Sequence, residues 1–300
     1  ATVEQASAWK ETVAKEPGAA PLGDVTVHIG GNLSGQMIIG NNNSQESFNY
    51  TYHVAHGGVL NVAPKATVRS RLTPVMLRPR RFENLLDRRT VLPMLRESLW
   101  QGLPVEVYSA AGVGKTSLMR HVAHDEQLVS AFPDGVVYLS AHRQLAEDLL
   151  QSLYDAFYEA SPPLKPSYGQ VQQSLARKQS LVILNRLSLE KEEMDWLMAA
   201  LPACTFVLVS VARFYWQEGA ASALKGLPLP ESIALIQIEL GRALSQDEQY
   251  AAKSLWAALS GNPLQLRRAA AQAKADDESL MVLVLSMQAA SAIALSKNGG

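Results

Sequence analysis

YSAAGVGKTSLMR, residues 108–120, is the stretch on which the reading of the 300-residue chain turns. An apolar run, PVEVYS (104–109), leads into it and an amphipathic run, KTSLMRHVAHD (115–125), leads out. A strand that turns through glycines into a helix is the setting a phosphate-binding loop requires, because free N–H groups at a helix N-terminus attract anions. The pattern G-x-x-x-x-G-K-[ST] is met at Gly114, Lys115 and Thr116, with Gly112 two residues earlier and Ser109 in place of the first glycine. Gly112, Val113, Gly114, Lys115, Thr116 and Ser117 are thus the expected cofactor-binding residues for ATP or ADP. Lys115 would reach the β- and γ-phosphates, and Thr116 would ligate Mg²⁺ through its hydroxyl. A chance glycine-rich turn is the plain alternative.

Outward from this loop, strand-like runs GVVYLSA (135–141), SLVIL (180–184) and TFVLVS (205–210) alternate with helical patterns. Those patterns are LAEDLLQSLYDAFYEA (145–160), YGQVQQSLARK (168–178) and EKEEMDWLMAAL (190–201). Such alternation predicts a parallel sheet flanked by helices, since parallel neighbours need crossover connections. After LKGLPLP (224–230) only helical periodicity continues, and before residue 71 the chain is rich in Gly, Asn and β-formers. The expected class is an α/β P-loop NTPase sheet followed by a small helical domain and preceded by a short β-rich segment. The expected domains are 1–70, 71–226 and 227–300.

Bulk composition adds limits. A net charge of −1 conceals a basic block, nine Lys/Arg against three acids over residues 65–97. Its arginines interleave with an apolar helical pattern and no aromatic series accompanies them, so a solvated helix face is expected and nucleic acid is not. One cysteine, Cys204, excludes an internal disulfide and favours a reducing, cytoplasmic setting. The run SLMVLVLSMQAASAIALS (279–296) approaches the length of a membrane span, but its Gln288 and serines favour a packed helix, and no membrane role is expected. His121 and His124 share one helix without a third ligand, which argues against a metal.

From residue 78 onward the chain resembles the STAND-class NTPases of the NB-ARC kind (AP-ATPases), the nucleotide switches of NLR-like proteins and their bacterial relatives. The likeness rests on the loop itself, on RRFENLLDRRTVLPML (80–95) and on LSGNPLQL (259–266). In the first flank the family's Gly-Arg-Glu triplet is Asp87, Arg88 and Arg89, so Arg88 is the matching residue near the nucleotide. In the second, Gly261, Asn262 and Pro263 match the G-x-P signature, whose proline packs on the base or ribose. The resemblance implies ATP or ADP held between loop and helical domain, with homo-oligomerisation on activation.

The same resemblance places LVILNRL (181–187) on the strand that ends in two acids, one of which orders Mg²⁺ in P-loop enzymes. Here those positions carry Asn185 and Arg186. An amide brings no charge and a guanidinium cannot act as a base, so slow or absent hydrolysis is expected. A shifted register, with EKEE (190–193) supplying a displaced acid, is the alternative. Arg213, beyond FVLVS, is a candidate sensor of the γ-phosphate, or an exposed loop arginine.

GNLSGQMIIGNNNSQ (31–45) has the Gln/Asn-flanked apolar core of cross-β ladders and resembles amyloid-signalling motifs of RHIM-like type. Self-assembly through residues 25–64 and an ordinary β-hairpin both fit. Three functions follow: a signalling switch with little turnover, an active ATPase of the same fold, or an assembly protein with a vestigial nucleotide site.

Overall fold

The computed structural model describes residues 25–28, 59–62, 66–215, 219–276, 279–282 and 284–285. Internal contacts divide the chain into two units, 1–69 with 160–164 and 70–159 with 165–300. In the first, β1 (Val25–His28) pairs antiparallel with β2 (Val59–Val62), Val25 lying opposite Val62. The apolar centre of the cross-β expectation, QMIIGNNN, lies outside the described residues, as does most of 279–296.

In the second unit the valine-rich runs build one six-stranded sheet in the order β10-β5-β9-β8-β6-β4. These are β4 (Val75–Leu77), β5 (Val105–Tyr108), β6 (Gly135–Ser140), β8 (Ser180–Asn185), β9 (Thr205–Ser210) and β10 (Ala220–Ala223). All five pairings are parallel. Every residue of β8 and β9 is buried, as expected of parallel strands covered on both faces. Side chains alternate between two cores. Val182, Leu184, Phe206 and Leu208 pack with α4 (Ala146–Phe157), α5 (Tyr168–Leu175) and α6 (Lys191–Ala199). Leu181, Ile183, Val207 and Val209 face α1 (Val91–Trp100), α2 (Lys115–Val122) and α3 (Glu126–Val129). At roughly 1.5–3 kcal/mol for each fully buried aliphatic side chain, these two layers are the main stabilising term.

Two edge strands were not expected. β4 lies against β6 because Gly135, at φ +98°, lets the chains close; a Cβ there would stand 2.6 Å from the Val75 backbone nitrogen. β10, the sequence AASA, pairs with the loop strand β5. The helix expected over 145–160 stops at Phe157, and β7 (Tyr158–Ser161) follows, paired with β3 (Thr67–Ser70). Ser161 precedes Pro162, which disfavours helical backbone before it. Tyr158 also leaves the helix to donate to the Ser174 carbonyl at 2.9 Å.

The helical part comprises α7 (Leu229–Leu240), α8 (Gln246–Ala258) and α9 (Pro263–Ala275) around Ile236, Leu255, Leu266 and Ala270. Leu280 and Val284 join this core, and among the described residues no helix is long and apolar enough to cross a membrane. Ser245 and Glu248 form a capping box at α8, and Arg242 grips the Glu248 carboxylate with two bonds of 2.7 and 2.8 Å. The Arg242 bonds, then the Ser245 backbone N–H, hold the Glu248 pKa down at about 2, from an ordinary 4.5. A lowered carboxylate stabilises the fold above its unfolded pKa and loses that effect as pH falls. Glu248→Gln is therefore expected to cost roughly 1–2 kcal/mol at neutral pH, with Arg242 largely exposed. In urea melts the gap to the wild type should close between about pH 4.5 and pH 2.

Candidate phosphate-binding site

Gly112 and Gly114 both sit at positive φ, +85° and +104°, and the loop enters α2 with Gly114 as its N-cap. No side chain caps α2. Six consecutive carbonyls, Ser109 to Gly114, each hold a donor. Lys115 Nζ donates to the carbonyls of Ser109 and, at 3.0 Å, Ala110. Asn262 Nδ2 reaches Ala111 O at 2.9 Å and the Leu264 N–H reaches Gly112 O at 3.3 Å. Arg88 reaches Val113 O at 2.8 Å, and the Leu118 N–H closes the series on Gly114 O at 3.0 Å. With carbonyls held on one side, the N–H groups of Gly112 to Thr116 are presented on the other, which is the arrangement that cradles an anion. Burial pulls the Lys115 ammonium below its ordinary pKa.

Arg88, picked out by resemblance, is 4% exposed and bonds the loop directly. Its second donor goes to Lys225 O at 3.1 Å, in the linker between sheet and helical part. Burial lowers its pKa, against the opposing charge of Asp87 3.9 Å away. Pro263 opens α9, but its neighbours Asn262 and Leu264 make the loop contacts. Asn262 works in both directions, since its Oδ1 also accepts the N–H groups of Leu264 (3.2 Å) and Gln265 (3.3 Å) as the cap of α9. A Cβ on Gly112 would lie 2.7 Å from that oxygen, so only glycine fits. The linker is stitched to the same turn by the Leu227 N–H on Gly261 O (2.8 Å) and by Trp256 Nε1 on Leu227 O (2.9 Å).

Opposite the loop, the Thr116 hydroxyl donates to Asn185 Oδ1 at 3.3 Å. Asn185 is the last residue of β8 and is buried. The alternative acids are committed elsewhere: Glu190 and Glu193 form a reciprocal capping box at the start of α6. The donor set therefore suits Mg²⁺ poorly, because that ion is ordinarily held through one or two carboxylates besides phosphate. Thr116 and Asn185 offer neutral oxygens alone. Among the described residues no three His, Cys, Asp or Glu side chains gather to hold a metal.

His121 and His124 instead bond the carbonyls of Phe82 (3.4 Å) and Pro79 (2.7 Å), while Arg120 Nε donates to Arg80 O at 2.7 Å. The basic 78–82 stretch is thus strapped across α2 by its backbone. Ser117 lies half-buried in the first turn of that helix, and Val113 is buried in the core beneath the loop.

One residue that sequence reasoning missed is Glu106, 2% exposed on β5. It accepts from Ser210 Oγ (3.0 Å) and from the N–H groups of Phe214 (3.1 Å) and Tyr215 (3.2 Å). The turn bearing Arg213 is anchored by this carboxylate. The only signal in sequence was a lone acid between valines in PVEVYS.

No protein-family model matches the chain, and no curated protein is similar to it at a significant level. Among solved structures, it is similar to the Walker-type ATPase PABY2304 of Pyrococcus abyssi, with 15% identity over 74% of this chain and 78% of that one, TM-score 0.47. It is similar to the STAND protein with a tetratricopeptide repeat sensor, PH0952 of Pyrococcus horikoshii, with 19% identity and TM-score 0.40. That match takes in 64% of this chain and only 30% of the other. A RuvB variant of Thermotoga maritima gives 16% identity over 70% and 72%, TM-score 0.42.

Asn262→Ala removes both the α9 cap and the bond to Ala111. A loss of roughly 1–3 kcal/mol is expected in urea unfolding, with faster amide hydrogen exchange at residues 110–114. Unchanged exchange there would show that the loop does not depend on α9.

Proposed function

We propose that the chain is a nucleotide-responsive switch of the STAND kind, holding ATP or ADP on the 109–117 loop and turning it over slowly or not at all. The observation that carries this reading is that α9 bonds the loop through the carbonyls of Ala111 and Gly112, while the side chain facing Thr116 is an amide. A nucleoside di- or triphosphate fits the free N–H groups of the loop. Lys115 would exchange the carbonyls of Ser109 and Ala110 for phosphate oxygens, a charge-assisted bond in place of neutral acceptors.

Cleavage is another matter. Attack on the γ-phosphate needs a positioned water and a group to orient it. Asn185 carries no negative charge, Arg186 cannot take a proton, and the acids of 190–193 serve their own helix. This arrangement supports a holding role over an active ATPase. Because the helical part rests on the loop, occupancy of the loop would bias its position, and release would permit self-association in the cytoplasm. A ligand shifts such an equilibrium only through its different affinity for the two arrangements.

The test is nucleotide content and phosphate release in the purified protein. Co-purifying ADP or ATP, lost in Lys115→Ala, is expected, with turnover far below the ~1 per second of ordinary phosphoryl-transfer enzymes. The double change Asn185→Asp, Arg186→Asp should raise turnover. Ordinary turnover in the wild type, abolished by Lys115→Ala, would make the protein an ATPase instead.

A further inference from the structure

The residue after Asn185 has an imposed geometry. Arg186 sits at φ +61°, a backbone region that costs a non-glycine residue about 1 kcal/mol. It is held there from both sides: the Ala141 N–H bonds the carbonyl of Asn185 at 2.8 Å, and the Leu187 N–H bonds Val209 O at 2.7 Å. Its guanidinium is exposed and has no hydrogen bond or ion pair among the described residues. Strain of this kind persists where the surroundings over-determine it, and it gathers at ligand sites.

Two further arginines are connected to this point. Burial pushes up to about 12 the pKa of the Tyr138 phenol, two residues before the β6 position that pairs with Asn185, against the smaller opposing charges of Arg120, one turn beyond Thr116 on α2, and of Arg186. The adjoining β6 loop presents Arg143, exposed and also left-handed at φ +55°, and is stitched to the β8 loop by the Arg143 N–H on Ser188 Oγ at 3.2 Å. In P-loop enzymes this end of the sheet holds acids and, through them, a dication. Here the strand tip carries the neutral Asn185 and the cation Arg186 instead. A guanidinium repels a divalent cation and binds phosphate through paired N–H groups.

We propose that Arg186 supplies the counter-charge to the terminal phosphate that a divalent cation ordinarily brings, so that the site binds ATP or ADP independently of Mg²⁺. This rests on the nucleotide-binding reading above and specifies how the phosphate charge is met.

The experiment is titration of the full chain with a fluorescent ADP and ATP, once in excess Mg²⁺ and once in EDTA. The wild type should change by less than about threefold in affinity between the two conditions. Arg186→Ala should lose roughly tenfold in EDTA, the worth of one charge-assisted bond, and Arg186→Lys should recover part of it. Arg186→Gly should raise the melting temperature by relieving the left-handed backbone while losing the same affinity, which a merely structural arginine would not do. Asn185→Asp with Arg186→Ala should make binding depend on Mg²⁺. Wild-type binding that is tight in Mg²⁺ and lost in EDTA, or an Arg186→Ala protein that binds as the wild type does, overturns this proposal and leaves the switch standing. Binding of neither nucleotide in either condition overturns both.

Discussion

The six carbonyls from Ser109 to Gly114 are the constraint on which the site depends. A peptide unit is planar, so fixing its C=O fixes the direction of the following N–H. Each bond is worth only about 1 kcal/mol net, somewhat more where Arg88 or Lys115 donates. Together they determine one conformation of a stretch that two glycines would otherwise leave loose. The donors come from four places: the segment before β5 through Arg88, the loop's own lysine, the first full turn of α2, and α9 through Asn262 and Leu264. The loop is therefore not a self-contained motif. Its shape records whether the preceding segment and the helical part are seated.

Backbone strain is distributed in the same way. Asp87, Arg88, Arg143, Arg186 and Ser260 are the non-glycine residues with positive φ among those described. Asp87 and Arg88 aim a guanidinium at Val113, and Ser260 turns α8 into the Gly261–Asn262 corner that meets the loop. Arg143 and Arg186 sit in the two loops stitched through Ser188 at the carboxyl ends of β6 and β8. At order 1 kcal/mol each, such strain must be offset by packing elsewhere, and the two sheet cores supply it. Glu106 serves the opposite purpose: a buried carboxylate accepting from three donors stiffens the 210–215 turn on the neighbouring strand.

What could be read from sequence follows what local chemistry encodes. The glycines, Lys115 and Thr116 announce the loop because their spacing is dictated by phosphate geometry, and β8 and β9 announce themselves as uninterrupted apolar runs. β4 and β10 do not, since VML is too short for any period and AASA has no strand propensity of its own. They exist because β6 and β5 offer unpaired edges. Tyr158 continues the apolar rhythm of α4 yet belongs to a strand, the proline after Ser161 weighing more than periodicity. Asn262 carries a legible signal as an N-cap before Pro263, but its other bond, to Ala111 151 residues away, is a tertiary fact. Arg88 was found by resemblance, and its bonds to Val113 and Lys225 are tertiary facts of the same kind.

On the proposed reading, a bound phosphate and the helical part would meet opposite edges of the same peptides. Phosphate oxygens call on the N–H groups of Gly112 to Thr116, and α9 calls on the carbonyls of Ala111 and Gly112 just before them. Rotating one of these peptides to suit a different ligand would turn its carbonyl off Asn262 or Leu264, and lifting α9 would leave the N–H groups free to reorient. The two bonding patterns would thus favour one another without any contact between nucleotide and helix, and by linkage the preference would be mutual. Catalysis is not needed for this coupling. On the switch reading proposed above, with an amide facing Thr116 and a guanidinium after it, the site would report which phosphate it holds through the posture of α9, and a carboxylate that hastened cleavage would only shorten the report.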